Sequence, residues 1–120
     1  MKRHAAAHCT ATLNSLRSAI VVLSGKWKLQ ILVALLSGAR HFRGLERSIP
    51  GISTKVLAKE LKDLEAHQLI RRTVEPGPPV VVTYEALPYA ETLDPVINVL
   101  RAWGQQHQQR LDAPGAAQGV

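Results

Sequence analysis

The chain has 120 residues, which is enough for one small domain built around a single hydrophobic core. A formal net charge of +6 at pH 7 and an isoelectric point near 10.0 favour an anionic partner such as nucleic acid. The single cysteine excludes a disulfide framework within the chain, and no apolar run approaches the length of a membrane span. We therefore expect a soluble, cytoplasmic protein with no membrane partner and no signal peptide.

The N-terminal part of the sequence has the pattern of consecutive helices. Residues 1–11 have no apolar period and are predicted to form a flexible arm before the domain, which we place at residues 12–111. From Leu13, apolar residues recur at helical spacing as far as Leu23, where a glycine turn ends the helix. A second helix over Lys26–Ser37 is apolar on most sides, which predicts that it is the central helix of the core.

A short third helix and the helix after it are joined by the turn Pro50-Gly51. The third helix, Phe42–Ile49, directs Arg43 and Arg47 outward while its apolar residues face inward. The fourth begins at Ser53, a residue type whose hydroxyl accepts hydrogen bonds from the free N–H groups of a first helical turn. Two helices around a tight turn are typical of a helix-turn-helix.

The fourth helix, expected at residues 53–66, has two contrasting faces. Leu57, Leu61 and Leu64 recur at i, i+4 and i+7, and three lysines repeat this spacing two residues earlier. Two positions correspond to about 200° of helix rotation, so the lysines lie nearly opposite the leucines. The lysines are Lys55, Lys59 and Lys62. Such a helix suits the major groove of DNA, although an ordinary amphipathic helix with solvated lysines has the same pattern.

The hydrophobic period changes after residue 68. Two β-prone runs, Leu69–Val74 and Val80–Tyr84, flank a proline-rich tip and predict a β-hairpin, or wing. Beyond it, Pro88–Leu111 has the period of a final helix, which either begins at Asp94-Pro95 or is kinked there. Residues 112–120 are predicted to form a disordered tail.

Several short motifs follow one another between the first and last helices. They are Gly25-Lys26-Trp27, Phe42-Arg43-Gly44-Leu45, Pro50-Gly51-Ile52-Ser53, the leucines of the fourth helix followed by Glu65, Tyr84 before the last helix, and Trp103-Gly104. In this order the chain resembles the HxlR-type family of bacterial winged-helix transcriptional regulators over most of its length. The resemblance implies a mainly α fold with a small β-hairpin (α+β), a winged helix-turn-helix with N- and C-terminal dimerisation helices.

The resemblance also implies which residues act on DNA. In the family, the helix after Pro-Gly-Ile-Ser enters the major groove and the wing touches the flanking backbone. Carried over, the groove-facing positions are Ser53, Thr54, Lys55, Ala58 and Lys59, the phosphate contacts are Lys62, Arg43 and Arg47, and Arg71 and Arg72 lie at the start of the wing. We therefore predict a sequence-specific regulator that binds double-stranded DNA at an inverted-repeat operator as a homodimer.

The first and last helices form the dimer interface in this family. Here both carry wide apolar faces that a single domain of this size cannot cover from within, and a large exposed apolar patch marks an interface. The predicted interface residues are Leu13, Leu16, Ile20, Val96, Leu100 and Trp103.

Three positions depart from the family pattern. Gln68 replaces the glycine after the recognition helix, Val81 replaces a basic residue on the second wing strand, and Asn14 stands where many members have a redox-sensing cysteine. Gln68 destabilises the fold by up to about 1 kcal/mol if its backbone keeps a positive φ. Cys9, upstream of Asn14, is then the candidate redox sensor, with an oxidant or a small molecule as the inducer. The alternative is that Cys9, a lone cysteine in a flexible arm, has no sensing role.

The chain carries no catalytic constellation, glycine-rich phosphate loop or metal-ligand spacing, so we predict neither an enzyme nor a cofactor or metal. An alternative from another class is a winged-helix module that binds protein through its helical face. The apolar run Val80–Val82 in the second wing strand favours that alternative, because a basic residue is usual there in the family.

Overall fold

The structure is a computed structural model that describes residues 6–114. Its helices are α1 (Ala6–Leu23), α2 (Lys28–Leu36), α3 (Phe42–Ser48), α4 (Thr54–Ala66) and α5 (Asp94–Asp112). The strands are β1 (Ile70–Glu75) and β2 (Val81–Ala86), and a 3₁₀ helix (Pro88–Leu93) leads into α5. This architecture confirms the predicted fold class, which is mainly helical with one hairpin.

The hydrophobic core lies where α2, α3 and α4 meet the base of the hairpin. Ile31 and Leu32 of α2 are fully buried, as is Leu45 of α3. The core also contains all three leucines of α4 and, from the end of the helix and the wing, Leu69 and Ile70. Because α2 is apolar on most sides, it occupies the centre of this cluster, as its sequence predicts.

Both ends of α4 are defined by local hydrogen bonds. At its start, the backbone N–H of Val56 donates to Oγ of Ser53 at 3.2 Å, which confirms Ser53 as the N-cap. At its end, Gln68 has a φ of 62°, so this position keeps the left-handed conformation that glycine favours. The N–H of Leu69 then donates to the Leu64 carbonyl at 3.1 Å, which turns the chain directly into the wing.

The two wing strands pair antiparallel from Ile70↔Ala86 to Glu75↔Val81. They begin and end one or two residues later than the sequence predicted. At the outer edge of β2, the N–H of Tyr84 donates to the Arg40 carbonyl at 2.8 Å. This bond ties the wing to the segment before α3, so the hairpin is held against the helix-turn-helix at its base.

The terminal helices differ most from the sequence-based expectation. α1 begins at Ala6, upstream of Leu13, so the predicted arm overlaps the helix at residues 6–11, and residues 1–5 lie outside the described part. α5 begins at Asp94 with Pro95 in its first turn, which matches the first of the two alternatives. Leu93 rather than Asp94 is its N-cap, because Asp94 already has helical φ and ψ.

Both terminal helices project from the core into solvent. Every residue from 11 to 21 is exposed, and within α5 Ile97 alone is half-buried. The radius of gyration is 18.2 Å, whereas a compact chain of this length has about 13–14 Å. Within residues 6–114, no single helix is long and apolar enough to cross a membrane; α1 from Cys9 and α2 reach that composition only together, across a 70° bend.

Candidate nucleic-acid interface

The outer face of α4 carries the three predicted lysines. Lys55, Lys59 and Lys62 are exposed, whereas the three leucines of the same helix are between 0% and 2% exposed. Because the leucines fill the core, the rotation of α4 about its axis is fixed, and the lysine face points away from the protein. The predicted separation of the two faces is confirmed.

The preceding helix adds cations beside α4. Arg43 and Arg47 of α3 are both exposed, while Leu45 between them is fully buried. One bond links the two helices at the tip of α4, where Oγ1 of Thr54 donates to Oε2 of Glu46 at 2.6 Å. Glu46 was not among the predicted residues, since its partner lies eight positions further along the chain and no periodicity indicates the pairing.

Lys59 differs from the other two lysines because it belongs to a charged network. Its Nζ lies 3.1 Å from Oδ2 of Asp63 and 3.5 Å from Oε1 of Glu60. Glu60 in turn forms an ion pair with Lys28 of α2 at 2.8 Å, and these two side chains are only 10% and 7% exposed. Lys28 also lies 3.4 Å from Asp63, so the network joins the central helix to the lysine helix.

This network changes the acid–base properties of two exposed groups. The hydrogen bond to Asp63 raises the pKa of Lys59 above its usual 10.5, and the nearby Asp63 and Glu60 charges add to the effect. The hydrogen bond from Lys59 lowers the pKa of Asp63 below its usual 3.8, although partial burial opposes this change. Lys59 therefore stays charged, and its ammonium group is already paired with Asp63 in the absence of DNA.

The register of the wing places Arg71 and Arg72 on opposite faces of the hairpin. Arg71 lies opposite Glu85 and binds its Oε1 with Nη2 at 2.6 Å and with Nε at 2.9 Å. Arg72 lies opposite Tyr84, on the face that is turned toward α4. It lines a cleft of about 370 Å³ together with Ala58, Leu61, Lys62, Glu65 and Tyr84. The sequence grouped the two arginines, and the structure separates them.

The predicted dimer residues lie on the two projecting helices. Leu13, Leu16 and Ile20 of α1 are each more than half exposed, and Trp103 of α5 is 59% exposed and stacks on His107 at 4.9 Å. Val96 and Leu100 of α5 are also exposed. Leu100 borders a cavity of about 650 Å³ that lies between α5 and the outer side of α2.

Cys9 lies in α1 and is half-buried, so it belongs to a helix rather than to the predicted arm. Asn14, the position of the family cysteine, is exposed on the same helix. In residues 6–114, no three histidine, cysteine, aspartate or glutamate side chains are grouped closely enough to hold a metal ion.

The chain is similar in sequence to a known protein family and to several of its members. The model of the HxlR-like helix-turn-helix family matches residues 22–112. The HTH-type transcriptional regulator YtcD of Bacillus subtilis is 36% identical over 97 residues, which are 81% of this chain and 77% of YtcD. The HTH-type transcriptional regulator YodB of the same species is 34% identical over 91 residues, which are 76% of this chain and 81% of YodB.

Solved structures show the same relationship in three dimensions. A crystal structure of YtcD superimposes with a TM-score of 0.74 over 78% of this chain and 96% of YtcD, at 35% identity. The redox regulator HypR in its reduced form gives a TM-score of 0.75 over 82% of this chain and 97% of HypR, at 26% identity. YodB has been solved reduced, treated with diamide and bound to quinone; the reduced form gives a TM-score of 0.67 at 34% identity, over 77% of this chain and 90% of YodB.

These matches explain why the described surface is organised around one lysine-bearing helix and a wing. The family match and the relatives above 30% identity cover most of this chain and include all the predicted DNA-binding residues. The relatives are regulators of transcription and not enzymes. This protein belongs to the HxlR-like helix-turn-helix family of DNA-binding transcriptional regulators.

Proposed function

We propose that the protein binds an inverted-repeat operator as a homodimer, with α4 of each subunit in the major groove of one half-site. The observation that carries the proposal is the fixed outward orientation of the α4 lysine face, which follows from the complete burial of Leu57 and Leu64. Basic residues on both sides of this face, from α3 and from the wing, would follow the phosphate backbones of the same groove.

The individual roles follow from what each side chain already binds. Arg43, Arg47 and Lys62 are exposed cations suited to phosphate contacts. Lys55 extends from the first turn of α4 and is suited to a guanine edge. Ser53 is used for capping, and Lys59 must leave Asp63 before it can contact DNA, so we assign these two residues smaller parts. On the wing, Arg72 contacts the flanking backbone, while Arg71 is held by Glu85.

The homodimer is supported by the apolar surface of the projecting helices. Ile20 and Val21 of α1 are each 61% exposed, and Val99 of α5 is 68% exposed. Covering such a surface with a second copy removes it from water, and a two-fold dimer presents two α4 helices in symmetric positions. Operator half-sites should then be centred one helical turn of DNA, or a multiple of it, apart. DNA as the partner also supports a cytoplasmic location.

The test is selection of preferred DNA from a random library, followed by binding measurements at several salt concentrations. We expect an inverted repeat, and a logarithm of affinity that falls by about 0.9 per phosphate contact with the logarithm of salt. Lys62→Ala should weaken binding to all sequences alike and lower this slope by about one per contact removed. Arg110→Ala, which removes an exposed cation from the far end of α5, is the matched control and should leave the slope unchanged.

One observation favours a second candidate function, a module that binds protein through its winged-helix surface. Val74 and Val80 of the wing are 45% and 61% exposed, so the hairpin offers apolar surface where a DNA-binding wing usually offers cations. The same selection separates the two functions. A protein that enriches no DNA sequence and binds its own upstream DNA no better than random DNA would contradict the operator proposal and support this module.

Redox or small-molecule control is a separate proposal, and the relatives support it. YodB has been solved in diamide-treated and quinone-bound forms, and HypR is described as a redox regulator. In this chain Cys9 is the candidate sensor, and it lies on the helix to which we assign dimerisation. If it senses oxidants, Cys9→Ser should bind DNA like the parent but ignore diamide and quinones. Equal responses of the two proteins would exclude Cys9 as the sensor.

A further inference from the structure

One side of the exposed face of α4 is apolar rather than charged. Thr54 and Ala58 lie four residues apart and are both exposed, so they are neighbours on the same face of the helix. Lys55 and Lys62 lie next to them, at about 100° and about 80° of helix rotation from Thr54. The surface that we place in the groove therefore contains two small side chains, with cations along one side of them.

The polar groups at the tip of α4 are already used inside the protein. The hydroxyl of Thr54 donates to Glu46 on α3 at 2.6 Å, and the hydroxyl oxygen of Ser53 accepts from the N–H of Val56. Thr54 is exposed while its hydroxyl is bound to α3, so we infer that its Cγ2 methyl is the group available to a ligand. The side chain of Ala58 is itself a methyl group. This part of α4 therefore offers two methyl groups, and the one hydroxyl proton of Thr54 is already donated to Glu46.

We propose that Thr54 and Ala58 read thymine through methyl–methyl contacts in the major groove, and that Glu46 is the positioning residue that keeps Thr54 in the reading orientation. The inference rests on the proposed function, because it requires α4 to lie in the major groove. Thymine is the base that carries a methyl group in that groove, and alanine and threonine methyls are suitable partners for it. Each half-site should then contain one or two thymines at fixed positions.

The placement of Glu46 is consistent with this role. Glu46 lies between Arg43 and Arg47 in the sequence of α3, beside the cations that we assign to phosphate contacts, and a negative charge there weakens DNA binding. Its short hydrogen bond to Thr54 fixes the χ1 rotamer of a residue that otherwise exchanges its hydroxyl and methyl positions in a helix. Glu46 thus weakens the attraction of this surface for phosphates, but it holds Thr54 in one orientation toward the bases.

The experiment uses the operator selected above and replaces its thymines by uracil one at a time. Uracil pairs with adenine as thymine does and lacks only the methyl group, so the duplex keeps its hydrogen-bonding pattern. For the full-length parent protein we expect a loss of about fourfold in affinity for each methyl contact, from the hydrophobic value of one methyl group. The losses should occur at one or two thymines per half-site and at no others.

Two variants of Thr54 separate the methyl from the hydroxyl. Thr54→Val keeps a methyl and the β-branched shape, so it should still distinguish thymine from uracil. Thr54→Ser keeps the hydroxyl and its bond to Glu46 but lacks the methyl, so it should bind the thymine and uracil operators equally at that position. Ala58→Gly should remove the discrimination at the second position. Lys62→Ala should weaken binding to both operators and keep their ratio.

A matched pair tests Glu46. Glu46→Gln and Glu46→Ala remove the same charge, but only the amide can still accept a hydrogen bond from Thr54. We expect Glu46→Gln to retain the discrimination between thymine and uracil at the Thr54 position and Glu46→Ala to lose most of it. Equal ratios for the two variants would show that Glu46 does not position Thr54.

The outcomes separate this inference from the function on which it rests. If the parent selects an operator but every uracil replacement leaves affinity unchanged, thymine is not read through methyl groups, while operator binding stands. If Thr54→Ser keeps the discrimination, the methyl of Thr54 is not the reading group. A parent that selects no operator overturns both proposals.

Discussion

At the scale of single residues, the three lysines of α4 are not equivalent, although they lie on one face of the helix. Lys59 is bound to Asp63 and Glu60, whereas Lys55 and Lys62 have no carboxylate partner among the ion pairs of the described residues. An exposed ion pair contributes little to stability, but it competes with any phosphate for the same ammonium group. Asp63 is therefore expected to limit DNA affinity.

Asp63→Asn should raise the affinity for DNA, because Lys59 then becomes available to a phosphate. We expect an increase of about two- to fivefold, the range of an exposed ion pair, and a salt slope steeper by about 0.9 per subunit. Titration by fluorescence anisotropy at several salt concentrations measures both. Glu91→Gln, which removes one negative charge from the 3₁₀ helix, is the control; an equal effect of this variant would show that net charge, not release of Lys59, is the cause.

The same ion pair predicts a pH dependence of stability. Because the folded protein has a lowered Asp63 pKa, the pair stabilises the fold above the usual pKa of 3.8, and this contribution is lost as the pH falls through the lowered value. On the alkaline side it is lost only as the pH rises through the raised pKa of Lys59, above 10.5. Urea denaturation should show a constant difference between parent and Asp63→Asn at neutral pH, and that difference should close under strongly acidic conditions.

Gln68 has a backbone conformation that non-glycine residues disfavour. Its φ of 62° lies in the left-handed region, and a glycine there avoids the contact of Cβ with the backbone. We expect Gln68→Gly to stabilise the protein by up to about 1 kcal/mol, although the greater flexibility of glycine in the unfolded chain opposes part of this gain. Gln68→Val should destabilise it, since a β-branched residue is strained at this φ. Thermal denaturation of both variants measures these changes.

At the scale of elements, the pairing of β1 with β2 decides which wing arginine faces the recognition helix. Arg72→Ala should lower DNA affinity and the salt slope, because Arg72 shares a cleft with Lys62 and Ala58. Arg71→Ala should have a smaller effect, since Arg71 is bound to Glu85 on the opposite face. The two variants remove the same charge from adjacent positions, so equal losses in the same binding assay would contradict the assignment of faces.

The buried pair between α2 and α4 connects the core to the DNA-binding face. Breaking it by Glu60→Leu should destabilise the fold by about 3 kcal/mol, at the lower end for buried pairs because Asp63 still accompanies Lys28. The double variant Lys28→Met/Glu60→Leu should recover most of this loss, since two apolar side chains then fill the same space. Urea denaturation of the parent and both variants measures the effect, and a double variant less stable than Glu60→Leu would contradict this explanation.

At the scale of the whole molecule, the projection of α1 and α5 argues for a partner. The molecule extends 59 × 41 × 22 Å, and most apolar residues of both helices lie outside the core, although Val22 and Leu23 at the end of α1 pack against it. We expect the parent to sediment as a dimer at tens of micromolar and Ile20→Lys or Leu100→Lys to give monomers or insoluble protein. DNA affinity should fall in the soluble variants, because two linked half-sites bind far more tightly than one.

Val80→Lys provides the matched control for the dimer. Val80 is 61% exposed, the same as Ile20, but it lies at the tip of the wing rather than on a projecting helix. This variant should remain dimeric, because we place the wing outside the interface. A parent protein that sediments as a monomer would contradict both the proposed dimer and the proposed inverted-repeat operator.

The order and spacing of residues are sufficient to predict the features that depend on neighbouring positions. The extents of α2, α3 and α4 to within two residues, the cap at Ser53 and the opposition of lysines and leucines follow from short-range spacing and from the conformational preferences of single residues. The positive φ at position 68 is expected only if this chain keeps the backbone of the family's glycine, because glutamine by itself disfavours that conformation. Long-range packing, in contrast, decides which charges are paired. Lys28 and Glu60 are 32 positions apart, and Arg71 and Glu85 are 14 apart. Such contacts depend on how elements pack, which no local period encodes.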